Sequence, residues 1–129
     1  MTRGPGRASG FTLMELVIVM TVVAILMAVS IPIFITHIKH AKEVVLKTNL
    51  DEMRRAIDKY TVDKEKPPQS LQDLVSAGYL RSLPIDPITR TSESWVPVES
   101  KDSDLGSGSG DVRSGAEGSD SEGRAYSEY

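Results

Sequence analysis

A chain of 129 residues, 40% of them apolar, has room for one modest domain, and the absence of cysteine excludes a disulfide framework and a thiolate metal site. The formal charge of −3 is graded: residues 1–10 hold two basic groups and no acid, while residues 67–129 hold five basic against eleven acidic groups, a net of −6. The acidic end argues against nucleic-acid binding by phosphate attraction, and the basic-first order fits a start kept cytoplasmic and an end exported.

Met1 to Gly10 is short, basic and Gly-rich, with Pro5 opposing any helix. The apolar stretch Phe11–Ile35 follows directly, and Glu15 is its one charged residue. As a helix this stretch extends roughly 37 Å, enough to cross a hydrocarbon core of about 30 Å. Pro32 is expected to kink or loosen the helix near its end. Beyond it the pattern turns amphipathic: Leu46, Leu50, Met53, Ile57 and Tyr60 recur every three or four residues and fall on one stripe. One long helix is therefore predicted from about Thr12 to about Val62, its membrane and assembly half at 11–35 and its amphipathic half at 36–66. Pro67-Pro68 stops it.

A short helix comes next, with Ser70 as N-cap, Asp73 three residues on, and Gly78 suited to the C-terminal cap. Tyr79-Leu80 and Leu83–Pro87 read as an ordered loop over the core. Strand signals are weak, and Ser94–Val98 and Asp111–Ser114 are the two candidates, pairing as a hairpin. Leu105–Gly110 reads as a flexible loop. The expected fold class is α+β: a long N-terminal helix packed on a small loop-rich domain, 67–129, with a short β-hairpin and a flexible acidic C-terminal region.

Glu15 is the informative residue. A carboxylate inside a membrane span costs roughly 2.5–3.5 kcal/mol even on a lenient insertion scale, so it needs a partner. Cleavage between Gly10 and Phe11 creates a positive amine at Phe11, one helical turn from Glu15. Between neighbouring subunits that pair would neutralise the acid and set an axial register; in the first turn the carboxylate also favours the helix dipole. Three plainer readings compete. An ordinary secretory signal, with Ala28-Val29-Ser30 as its cut site, conflicts with the apolar run continuing through Ile31–Ile35 and with Glu15 in its core. A single-span anchor displaying an acidic interaction domain treats Glu15 as incidental. A buried helix of a soluble fold is opposed by the length and uniformity of the run.

The basic leader ending in Gly10, then Phe11-Thr12-Leu13-Met14-Glu15 and a long apolar helix with Pro32 seventeen residues beyond the acid, resembles the class III signal of type IV pilins and type II secretion pseudopilins. The resemblance implies that residues 1–10 are a leader cut after Gly10 by a prepilin peptidase, and that the new Phe11 is N-methylated. It further implies assembly through Glu15 of identical or related subunits into a filament, from the inner membrane, by a separate ATPase and platform machinery. The distal domain would lie outside the cytoplasm, and family filaments loosen the helix before the proline, here around Ala24 to Ser30. Pro68–Leu74 and Gly78–Pro87 resemble the major, G-type pseudopilin of type II secretion, although Ile88–Thr91 stands where that branch often has Trp-Gly. The function implied is that of a pseudopilus subunit helping to drive protein export. A type IV pilin for adhesion, twitching or DNA uptake is the alternative. The acidic tail resembles the loop that binds calcium in G-type members, which implies calcium on Ser114, Glu117 and Asp120; oxygen ligands suit that hard cation. A solvated acidic tail is the competing reading.

No other chemistry is favoured. His37 and His40 could face one another on a helix, but with no cysteine and only Glu43 nearby they read as interfacial polar residues. Lys39, Lys42 and Lys47 suit lipid headgroups or a solvated face, and Trp95 a small-domain core. No nucleophile with a base and no phosphate loop is present, so an enzyme is not expected.

Overall fold

The structure, a computed structural model, describes Gly4, residues 10–101 and residues 103–129. Apart from Gly4 and Gly10, the expected leader thus lies outside the described residues, as does Asp102. Two compact units divide the chain, Met1–His37 and Ile38–Tyr129.

Helix α1, Leu13–Lys64, belongs to both, and the sequence placed its ends within two residues. It begins at Thr12, whose hydroxyl accepts the Glu15 N–H at 3.2 Å and whose carbonyl accepts the Leu16 N–H at 3.1 Å, the N-cap arrangement. Within the first unit every described residue is exposed. The hydroxyls of Thr21 and Thr36 donate back to the carbonyls of Val17 and Pro32, at 2.8 and 3.0 Å, so neither is left needing water. Residues 13–64 form one continuous helical run that includes Pro32 and Ala24–Ser30, the segment for which the resemblance implied loosening in filaments.

In the second unit the predicted stripe is the core. Leu46, Leu50, Met53 and Ile57 are each at most 1% exposed, and Tyr60 packs at their edge. Burying side chains of this kind contributes about 1.5–3 kcal/mol each. Pro67 and Pro68 end the helical segment, and both are buried. Helix α2, Leu71–Ser76, sets Leu71 and Leu74 against the stripe. Asp73 accepts the N–H groups of Gln69 and Ser70 at its start, at 3.0 and 3.3 Å. At its end Gly78, with φ +84°, lets its own N–H reach Val75 and that of Tyr79 reach Leu74, so the expected glycine cap is a Schellman turn.

Strands β1, Trp95–Glu99, and β2, Ser109–Ser114, form an antiparallel hairpin in which Trp95 opposes Ser114 and Val98 opposes Asp111. A bulge follows Val98, since Glu99 pairs with Ser109 and Gly110 is the extra residue. Trp95 is buried as expected, its Nε1–H donating to the Pro84 carbonyl at 2.8 Å.

The C-terminal region departs from expectation. The loop read as flexible is tied down at its end: the Ser109 N–H donates to the Pro68 carbonyl at 2.7 Å and the Gln69 amide to the Ser107 carbonyl at 2.8 Å. The acidic tail folds back as well, through a tight turn at 120–124, and inserts Tyr126 and Tyr129 into the core. Two large aromatic side chains supply enough apolar surface to order a segment whose average composition is polar.

Candidate functional site

The N-terminal constellation is built on the first turn of α1. Gly10 and Phe11 precede the helix and are exposed, with open space around the Gly10 Cα. Thr12, Leu13, Met14 and Glu15 then stand as N-cap, N1, N2 and N3. Glu15 is exposed and is the one acid of the first turn, where the unpaired N–H groups of the helix favour a negative charge. Thr12 is the residue that sequence reasoning missed. Its signal was available, because Thr-x-x-Glu before an apolar run is the capping-box pattern. It fixes where the helix starts and hence how far the Gly10–Phe11 bond lies outside it.

From Phe11 to Ile35 the apolar side chains are all exposed among the described residues. Among the described residues this is the one helix long and apolar enough to cross a membrane, judged by length and composition. Ser30, Ile31, Ile33, Phe34 and His37 line a shallow, almost wholly apolar groove on it. Such a surface suits hydrocarbon or the matching helices of other chains.

The second set of expected residues lies in the C-terminal segment. Ser114 is 1% exposed; its hydroxyl donates to Asp86 Oδ2 at 2.8 Å and accepts the Ala116 N–H at 3.1 Å. Asp120 is 6% exposed, and Glu117 is exposed. The Asp120 carboxylate is filled by the chain itself. Oδ1 accepts the N–H groups of Glu122 and Arg124, both at 2.9 Å, and Oδ2 accepts the Tyr129 hydroxyl at 2.5 Å. The Tyr129 bond, with the two N–H groups, holds the Asp120 carboxyl below the ordinary carboxylate range, against the opposing push of burial. Burial first, and then Asp120, push the Tyr129 hydroxyl up. A calcium ion requires six to eight oxygen ligands with lone pairs turned towards it. Here three donors of the chain meet the Asp120 oxygens and one N–H meets the Ser114 hydroxyl oxygen, and among the described residues no three His, Asp or Glu side chains converge on a point where a metal ion could sit.

Three polar groups that the sequence did not single out organise this region. Glu43, on α1, is 5% exposed and accepts the Ser121 N–H at 3.1 Å, the Ser121 hydroxyl at 2.9 Å and the Tyr126 hydroxyl at 3.4 Å. Asp86 is fully buried and accepts the N–H groups of Ile88 and Thr89 besides Ser114. Arg54 donates to Asp111 at 2.8 Å, to the Val112 carbonyl at 3.0 Å and to the Tyr129 main-chain oxygen at 2.6 Å. Apart from Ile88 and Thr89, their partners lie 28 to 83 positions away, and no local pattern reports such a pairing. His40 Nδ1 stands 3.9 Å from Glu43, a contact towards the tail rather than a metal pair with His37.

Comparison with known proteins meets the N-terminal geometry. The profile of the prokaryotic N-terminal methylation motif matches residues 6–31. Type II secretion system core protein G of Pseudomonas aeruginosa is 29% identical over 130 aligned residues, covering 88% of this chain and 92% of that protein. Type II secretion system core protein G of Klebsiella pneumoniae is 31% identical over 97 residues, covering 63% of this chain and 69% of that protein. The type IV wide pilus major component PilA4 of Thermus thermophilus is 36% identical over 77 residues, 60% of this chain and 58% of that protein. No solved structure matches. With a methylation motif on a bare apolar helix, and relatives from both secretion systems and pili, the chain belongs to the type IV pilin and type II secretion pseudopilin family of structural, non-enzymatic subunits.

Proposed function

We propose that this chain is the repeating subunit of a helical filament, a type II secretion pseudopilus that helps to drive protein export. The carrying observation is the apolar surface of Phe11–Ile35, uncovered within the chain and marked by Glu15 as its one charge. The subunit waits in the bacterial inner membrane as a single span, with Ile38–Tyr129 on the periplasmic side. A prepilin peptidase cuts after Gly10, Phe11 is N-methylated, and Glu15 meets the Phe11 amine of a neighbour as the assembly ATPase and platform add subunits. The alternative, a type IV pilin, is favoured by the likeness to the pilus component of Thermus thermophilus.

Glu15→Val tests assembly. The variant is expected to enter the membrane as well as the native chain, or better, while filament yield falls at least tenfold. Native yield from Glu15→Val subunits alone would refute the register role of Glu15. Mass spectrometry of the mature chain is expected to find it starting at a methylated Phe11, and a chain retaining Met1–Gly10 within filaments would refute processing. Loss of exoprotein secretion in a deletion strain supports the pseudopilus; intact secretion with lost surface pili supports the pilin.

A further inference from the structure

The acidic C-terminal segment was expected to be either a solvated tail or a calcium loop, and its geometry is neither. Each buried carboxylate that touches it is supplied with hydrogen-bond donors by the chain. Asp120 receives two backbone N–H groups and the Tyr129 hydroxyl, and Glu43 receives Ser121 twice and Tyr126 once. Donor hydrogens place partial positive charge where a metal ligand set would place an ion. Two guanidinium groups are bonded to the end of the segment: Arg54 joins Asp111 and the main-chain oxygens of Val112 and Tyr129, and Arg124 donates to the Glu128 carbonyl at 3.2 Å. Above the Tyr129 ring lie Lys47 Nζ and Arg124 Cζ, each 5.1 Å from its centre, adding cation–π attraction.

The geometry points to a metal-independent latch: Tyr129 and Arg54 do the work that a divalent cation would do, and the C-terminal segment closes on α1 without calcium. Three of the roughly four acceptor positions of the Asp120 carboxylate are taken, so a cation chelated by both its oxygens would have to displace at least one of these donors. Withdrawing Tyr129 would also pull a side chain that is 6% exposed from the core. A cation that displaced Tyr129 would therefore unmake packing in order to bind. The latch rests on the fold of the second unit alone, so it can fail while the filament reading stands, and the reverse.

The test is thermal unfolding of the full chain in detergent micelles, followed by near-ultraviolet circular dichroism in millimolar calcium and in chelator. The native chain is expected to melt at the same midpoint in both, and calorimetric titration with calcium chloride to give no saturable heat. Tyr129→Phe removes one hydroxyl and is expected to lower the midpoint by about 5–10 °C equally in both buffers. Calcium raising the native midpoint by several degrees would overturn the latch, as would Tyr129→Phe melting like the native chain.

Discussion

Tyr79 shows how single hydroxyls respond to nearby carboxylates in this chain. Its hydroxyl donates to Asp63 Oδ2 at 2.7 Å, and that bond, followed by burial and the charge of Asp63, raises its pKa above the ordinary 10.0. The neutral phenol is thus favoured by folding. Its contribution to stability is complete below pH 10 and is lost as pH rises through the elevated folded value. Tyrosinate absorbance is expected to show Tyr79 ionising above pH 10 in the native chain and nearer 10 in Asp63→Asn. An unchanged titration curve for Asp63→Asn would show that the bond does not form in solution.

Among the elements, the hairpin depends on a close approach that only one residue type permits. A Cβ at Gly115 would land on the carbonyl oxygen of Ser94, the residue just before β1. That oxygen belongs to the backbone and cannot swing aside, so Gly115→Ala is expected to destabilise the domain by about 1–3 kcal/mol. Chemical denaturation would register this as a lower midpoint at unchanged slope. Gly4 and Gly10, with open space about them, offer no such test. The elements also differ in how openly the sequence announced them. The α1 stripe was legible because five apolar residues repeat at the helical period, and the ends of α2 were legible from Ser70, Asp73 and Gly78. The tail was not, because Ser, Gly and acids dilute Tyr126 and Tyr129 below any periodic signal, and their partners sit on a helix more than seventy positions away. For the same reason the processing motif could be read from one short stretch, whereas the Asp120–Tyr129 and Glu43–Ser121 pairs needed the fold.

At the level of the whole molecule, apolar surface is divided unequally. Among the described residues every member of the apolar core lies at position 46 or later, inside Ile38–Tyr129, whereas each residue of Phe11–Ile35 is exposed. A chain beginning at Ile38 is therefore expected to stay monomeric in water and to unfold cooperatively, with a midpoint within a few degrees of the full chain in micelles. Loss of the cooperative transition in the shortened chain would show that the N-terminal unit contributes to the core.

The distance in sequence spanned by the latch has a consequence for biosynthesis. Glu43 finds its donors 78 and 83 positions later, and Arg54 holds an oxygen 75 positions on. A growing polypeptide presents the membrane span and the stripe of α1 first, while the groups that cover Glu43 and Leu50 are still to be made. Closing so long a loop comes late, since its entropic cost precedes any contact that offsets it. On the inner-membrane topology proposed above, the newborn chain would meet the bilayer before it can fold, and its distal part would mature only after crossing.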